Sequence, residues 1–167
     1  KTWIDDMGGS VFMLTLTIPH YQGGDLKRQL ELQRQATKRL YNDRVMRKVW
    51  AKIGKVGQVK ALEYTHGKNG HHNHTHTIIF SELSPDEFKD FVLPISKTAK
   101  NNHTLLSDKQ VQKLKDKGLE YSINYITLEQ FIKFYWVKLS REVGLGIASL
   151  EHGANITDAQ NVKTYLT

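Results

Sequence analysis

Alternating apolar and polar positions predict β-strands in three parts of the chain. The segment Val11–Ile18 reads V-F-M-L-T-L-T-I and ends at a proline, which cannot continue a sheet ladder. The segment Val56–Phe80 reads as two strands around Asn69-Gly70, the dipeptide most typical of a hairpin turn. A further strand is predicted over Leu145–His152, where a glycine ends it. These patterns predict a β-sheet that contains a hairpin.

Helical periodicity lies between and after these strands. Apolar residues three or four positions apart predict one long amphipathic helix over Asp25–Ile53. The pair Ser84-Pro85 is typical of a helix start, and this helix is expected to run to about Leu93. A third helix opens at Thr127 and continues to Val143. Helices alternating with a hairpin predict a single domain of the α+β class.

Two segments are harder to interpret from their pattern. The segment Pro94–Tyr125 is polar and rich in lysine, with a short helical stretch near Asp108–Lys117, and we expect an insertion over the sheet. After the last predicted strand, Thr157 or Asp158 is expected to cap a final helix that carries Tyr165.

Histidines occupy alternate positions in the second strand of the predicted hairpin. His72, His74 and His76 precede the apolar residues Ile78–Phe80. Alternate residues of a strand point to the same face of the sheet, so the three imidazoles share one face. Imidazole is the commonest metal ligand near neutral pH. A metal site is therefore predicted on this face; the competing interpretation is a hydrated sheet face with incidental histidines.

The preceding strand supplies a carboxylate to the same face. If the turn is Asn69-Gly70, Glu63 lies opposite His76, and if the loop spans four residues, Glu63 lies opposite His74. A loop of odd length would turn Glu63 to the other face. The predicted ligands are Glu63, His74 and His76, with His72 as a fourth ligand or an outer hydrogen-bonding group. This ligand set suits Mn²⁺, Mg²⁺ in part, Zn²⁺ or Co²⁺, and the residues alone do not choose among these metals; Mn²⁺ or Mg²⁺ is the expected cofactor.

Composition narrows the class of partner. The chain has 167 residues, a formal net charge of +7 and a pI of about 9.5, which favours a polyanionic partner. It contains no cysteine, so disulfides and thiolate metal sites are excluded. No apolar run is long enough to predict a membrane span, and no signal peptide is visible. We expect a cytoplasmic domain, residues 1–167, excised from a longer protein.

Two motifs resemble those of rolling-circle replication initiators, which belong to the HUH endonuclease superfamily. Residues 12–17 (F-M-L-T-L-T) are similar to the first motif of that family, and residues 72–76 (H-N-H-T-H) are similar to its second. The order of elements also resembles the family, although residues 94–125 are poorly covered. Thr75 departs mildly from the pattern, because the family places a strongly apolar residue between the two histidines.

The resemblance implies a palm-like central sheet of five antiparallel strands flanked by helices. It implies a metal held by the histidine pair and a third ligand, which here is Glu63. It also implies a catalytic tyrosine, which falls on Tyr165 within N-V-K-T-Y. Some members have a glutamate four residues before the tyrosine, but Asn161 stands there, which brings the glutamate-assisted termination step into question.

The activity implied is nicking and rejoining of single-stranded or locally melted origin DNA. The metal would polarise the phosphate, the tyrosine would form a covalent 5′-phosphotyrosine, and the free 3′-OH would initiate rolling-circle replication of a bacterial plasmid or related element. A host helicase is an expected partner. Basic residues of Lys97–Lys117 are candidates for DNA backbone contacts, and Tyr121, Tyr125 and Tyr135 are alternative nucleophiles.

Three other functions remain open at this point. One is a relaxase or single-strand DNA transposase of the same superfamily, although relaxases usually place the tyrosine near the N-terminus. Another is a metal-stabilised nucleic-acid-binding module without catalysis. A two-histidine phosphoesterase would need two separated His-x-Ser/Thr elements, which the chain lacks.

Overall fold

A computed structural model describes residues 8–19, 25–67, 70–96 and 104–159 of the chain, and these residues form an α+β fold. Four antiparallel strands build the main sheet in the order β2-β3-β1-β6. These strands are β1 (Ser10–Thr17), β2 (Lys55–Gly67), β3 (Gly70–Ser81) and β6 (Ala154–Asp158). A separate two-stranded sheet pairs β4 (Val92–Ser96) with β5 (Ile123–Thr127).

The helices lie between these strands along the chain, and a single 3₁₀ turn, Glu120–Ser122, precedes β5. The α-helices are α1 (Leu26–Asn42), α2 (Arg44–Lys52), α3 (Pro85–Lys89), α4 (Asp108–Asp116) and α5 (Leu128–Val143). Helix α5 begins at the capping box that Thr127 forms with Gln130 and ends at Gly144, whose φ of 90° is a left-handed conformation that glycine adopts readily. The predicted helix over residues 127–143 is thus confirmed.

The two faces of the main sheet differ in burial. In β1, Phe12, Leu14 and Leu16 are buried and alternate with half-buried residues, as expected for a strand with one face on the core. Helix α5 covers this buried face, since the indole Nε1 of Trp136 donates to the carbonyl of Thr17 at 2.9 Å. Helix α1 packs on the same face of the sheet at β3, where Nε2 of Gln33 donates a hydrogen bond to the hydroxyl of Thr75. The histidines of β3 lie on the opposite face.

The prediction of five strands in one sheet is wrong for the described residues, whose main sheet has four. The ends of the segment 94–125, predicted to be an insertion over the sheet, contribute to the two-stranded sheet, in which Pro94 pairs with Tyr125. A proline is compatible with β4, because β4 belongs to a sheet that has only two strands among the described residues. A central strand would need the backbone N–H that Pro94 lacks. The short helix predicted inside this segment is confirmed as α4.

The predicted single helix over Asp25–Ile53 is interrupted. Asp43 has an extended backbone (φ −60°, ψ 144°) that separates α1 from α2. Its carboxylate accepts a hydrogen bond from the Tyr135 hydroxyl at 3.1 Å and pairs with Arg39 at 3.3 Å. After this break, the Trp50 indole donates to the carbonyl of Leu40, so α2 folds back against α1. The amphipathic pattern continues through both helices and does not reveal the break.

Two other boundaries differ from the predictions. Helix α3 ends at Lys89 rather than near Leu93, because Asp90 is its C-cap and residues 92–96 form β4. Residues 145–152 are not a strand; β6 follows them, and its pairing with β1 includes Thr157. A helix therefore cannot begin at Thr157. None of the helices formed by the described residues is long and apolar enough to cross a bilayer.

Candidate metal centre on the histidine face

The hairpin register places Glu63 on the same sheet face as the histidines. Glu63 pairs directly with His74, and Gly67 pairs with Gly70. Glu63 thus lies opposite His74 rather than His76, the partner expected for a four-residue loop, although only residues 68 and 69 separate the two strands. Both the strand β2 and the strand β3 are regular around these positions, and the irregularity of their pairing lies at the distant end, between Lys55 and Gly57. The sequence prediction of a shared face is confirmed.

Glu63 contacts a histidine diagonally across the hairpin. Its Oε2 lies 2.7 Å from Nε2 of His76, within hydrogen-bonding distance. This hydrogen bond is the main reason why the pKa of the Glu63 carboxyl lies below its ordinary value, and the nearby charges of His76, His74 and His72 lower that pKa further. The carboxylate is therefore ionised at neutral pH and directed toward the row of imidazoles.

Two threonines of β1 hold the histidines from the other side. The Thr17 hydroxyl lies 3.0 Å from Nδ1 of His74, and the Thr15 hydroxyl lies 3.0 Å from Nδ1 of His76. When the hydroxyl accepts a hydrogen bond from the Nδ1–H group, the lone pair of Nε2 is available to a cation, which is how outer groups orient metal-binding histidines. Sequence reasoning missed both threonines as site residues, because their alternation in T-L-T places them on one face of β1 but does not place that face beside the histidines.

The three imidazoles form a continuous row. The ring centroids of His72 and His74 are 4.1 Å apart, and those of His74 and His76 are 5.9 Å apart. All three side chains are partly exposed to solvent, whereas the intervening residues Asn73 and Thr75 are buried on the helix-covered face. The row is thus accessible to a ligand from outside the sheet.

The side chains are not arranged as a ready-made metal cage. Within residues 8–19, 25–67, 70–96 and 104–159, no group of three or more His, Asp or Glu side chains is placed to hold a metal ion. Glu63 and His76 contact each other directly, so a cation would have to displace the proton between them and separate the two side chains. Chemically, two imidazoles and one carboxylate fit a divalent cation such as Mn²⁺.

Tyr165, the predicted nucleophile, lies outside the described residues, and so does Asn161. Among the alternative tyrosines, Tyr135 packs against the core, and burial followed by the nearby Asp43 raises the pKa of its hydroxyl to about 12. A hydroxyl that resists deprotonation and donates to Asp43 is a poor nucleophile. Tyr121 and Tyr125 are well exposed, on the 3₁₀ turn and on β5.

The lysine-rich segment predicted to contact DNA is only partly described, because residues 97–103 lie outside the described ranges. Lys109, Lys113 and Lys115 are exposed on α4. A salt bridge of 2.8 Å joins Lys52 of α2 to Asp108 at the exposed start of α4. The helix presents its lysines to solvent.

Comparisons of the chain with protein-family models, with curated proteins and with solved structures found no match.

Proposed function

We propose that this chain is a metal-dependent endonuclease and strand transferase that nicks and rejoins single-stranded DNA. One observation carries the proposal: Glu63 lies opposite His74 and hydrogen-bonds to His76 on the exposed face of the sheet. Exposed ion pairs contribute only about 0–1 kcal/mol to folding. Folding stability is therefore a weak reason to place three histidines and a carboxylate together on a solvent-facing strand pair.

Each residue of the site has a distinct proposed role. Glu63, His74 and His76 would hold Mn²⁺ or Mg²⁺, with His72 as a further ligand or a hydrogen-bonding group beside it. A bound divalent cation would neutralise charge on the phosphate and polarise it. Thr15 and Thr17 would keep the Nε2 atoms of the two histidines directed at the same point.

The proposed nucleophile is Tyr165. Its phenolate oxygen would form a bond to phosphorus while the bond from phosphorus to the 3′ oxygen breaks. The phenolic proton leaves to solvent or a neighbouring base, and the 3′ oxygen takes up a proton to give a 3′-OH. The phosphotyrosine ester retains the energy of the broken bond, so attack by a 3′-OH can rejoin the strand.

The substrate we propose is single-stranded or locally melted origin DNA of a bacterial plasmid or related element. The net charge of +7 and the exposed lysines of α4 favour a polyanion. A host helicase would supply further single strand after the first nick. A relaxase or a single-strand transposase would use the same chemistry, and the late position of Tyr165 favours the replication initiator.

The test is cleavage of circular single-stranded DNA with Mn²⁺, followed on a denaturing gel. His74→Ala and His76→Ala should each abolish the linear product while the circular dichroism spectrum is retained. His152→Ala is the matched control, because this exposed histidine lies outside the row, beyond α5. Cleavage that survives both histidine substitutions, or that is unaffected by EDTA, would contradict the proposal.

A non-catalytic binding module is the second candidate. The direct contact between Glu63 and His76 favours it, since this contact can hold the hairpin together without a metal. Such a module would bind DNA with the same salt dependence and would form no covalent adduct. The adduct therefore separates the two functions.

A further inference from the structure

A cleft lies on the side of the hairpin away from the histidines. It runs between α1 and β2, and its volume is about 700 Å³, within the range of ligand-binding pockets. Leu26 and Leu30 of α1 and Leu62 of β2 form apolar parts of its wall. Leu62 is 55% exposed although it faces the helix side of the sheet, because α1 does not cover this part of β2. The cleft thus presents an aliphatic surface to solvent.

Gln33 is a buried polar residue of the cleft wall. Gln33 lines the cleft and is only 2% exposed. Its Nε2 donates to Thr75 at 2.9 Å, whereas its Oε1 has no partner among the described residues. Most buried polar atoms are hydrogen-bonded, because leaving an acceptor without a donor costs free energy. The Oε1 atom is itself shielded from solvent, so Gln33 contributes a buried polar floor to the cleft rather than an open hydrogen-bonding position.

The rim of the cleft is basic. Lys27, Arg34 and Lys60 lie around it with a single acidic residue, Glu31. Arg34 and Glu31 pair with each other at 2.8 Å, and neither lysine has an ion-pair partner within the described ranges. Two positive charges at the rim therefore favour an anionic ligand.

One wall of the cleft is an edge strand. In the described part of the chain, β2 is the outermost strand of the main sheet, so its outer backbone groups pair with no other strand. Edge strands readily accept an extended peptide, whose backbone supplies the hydrogen bonds and whose alternate side chains enter adjoining pockets. Strand β2 places this edge beside the aliphatic wall at Leu62.

We propose that the cleft between α1 and β2 is a docking site for an extended acidic peptide of a partner protein. An aliphatic side chain of the peptide would contact Leu26, Leu30 and Leu62, and carboxylates would lie near Lys27 and Lys60. Single-stranded DNA fits less well, because the described residues that line the cleft include no aromatic ring for a base to stack on.

The experiment measures binding of the 167-residue chain to a fluorescently labelled pool of ten-residue peptides. In this pool, Leu, Ile or Val alternates with Asp or Glu, and EDTA is present so that DNA cleavage plays no part. Leu62→Asp should weaken binding by about tenfold or more, since it introduces a charge into the anchor position. Val59→Asp is the matched control: Val59 lies on the same strand with 53% exposure but shares the face of Ile78 and the histidines. It should change affinity less than about twofold.

Three outcomes decide the proposal. Saturable binding that depends on Leu62 and weakens in Lys60→Glu supports it. Absence of saturable binding, or equal losses in Leu62→Asp and Val59→Asp, overturns it. Displacement of the peptides by an unlabelled single-stranded oligonucleotide, with DNA affinity itself dependent on Leu62, would make the cleft a nucleic-acid site and would also overturn it. Loss of DNA cleavage in the histidine variants leaves peptide binding unchanged, so the two proposals fail separately.

Discussion

Substitution of Gly153 tests the packing beneath the histidine face. Gly153 is buried just before β6, donates its N–H to the Ser149 carbonyl at 2.7 Å, and accepts the N–H of Thr17 at 2.9 Å. A Cβ at this position would lie closer to the Ser149 carbonyl oxygen than real Cβ atoms approach an oxygen, and 3.3 Å from Cδ1 of Trp136. The carbonyl is backbone and the indole is fully buried, so neither can move freely.

The magnitude follows from this crowding. Overpacking a buried position costs about 1–3 kcal/mol of unfolding free energy. A loss of about 2 kcal/mol lowers the Tm of a domain of this size by roughly 4–8 °C. We therefore expect Gly153→Ala to lower the Tm by that amount, measured by differential scanning calorimetry with urea unfolding as a second determination.

Gly57→Ala is the matched control for this experiment. A Cβ at Gly57 would meet only Cδ2 of Phe80 at 3.7 Å, an ordinary contact. In a strand this change removes freedom from the unfolded chain, so the unfolding free energy should stay constant or rise by about 0.4–1 kcal/mol. An unchanged Tm in Gly153→Ala, or an equal loss in both variants, would refute the proposed packing around Thr17 and Trp136.

Three further predictions concern the site, the tyrosines and the partner. Thr17→Val removes the hydroxyl beside His74 and should weaken Mn²⁺ binding by about 10–100-fold in isothermal titration calorimetry. Thr157→Val is the control at an exposed position opposite Met13 and should leave the affinity unchanged, so equal affinities of the two variants would contradict the role of Thr17. Burial raises the pKa of Tyr135 from its ordinary value near 10 to about 12, so the folded state keeps a proton that the unfolded chain loses, and the unfolding free energy should fall between pH 10 and pH 12. Tyr135→Phe should reduce that slope in urea unfolding, and an unaltered slope would argue against the buried hydroxyl. Affinity for single-stranded DNA should fall with salt by about 0.7 log units per log unit of salt for each phosphate contacted, and an affinity that is flat with salt, or equal for blunt duplex, would count against the electrostatic interface.

The sheet face of the candidate site could be predicted because it depends on local periodicity. Alternation in β3 places His72, His74 and His76 together, and any loop of even length adds Glu63 to that face. The exact partner of Glu63 depends on which residues connect the strands, and the Asn69-Gly70 dipeptide indicated the wrong pair, because Gly70 already belongs to β3 and pairs with Gly67. The sequence pattern therefore predicts the shared face but does not decide whether His74 or His76 lies opposite Glu63.

Other features depend on contacts between distant parts of the chain. The break between α1 and α2 coincides with a hydrogen bond from Tyr135 to Asp43, and these residues are far apart in sequence. The pairing of β4 with β5 joins segments on either side of α4, and each is only five residues long. The positions of Thr15 and Thr17 beside the histidines require the β1–β3 register, which sequence periodicity does not provide. Long-range pairing decides these features.

Identification of the residue that becomes attached to DNA tests the central claim most directly. The chain would be incubated with Mn²⁺ and single-stranded oligonucleotides of randomised sequence, and the adduct would be digested with trypsin and nuclease. Mass spectrometry should find a nucleotide on the peptide that contains Tyr165, and Tyr165→Phe should abolish the adduct while Mn²⁺ and DNA binding persist. Cleavage without any adduct would mean that water is the nucleophile, and an adduct on another tyrosine would show that the nucleophile is misplaced; either result would contradict the account.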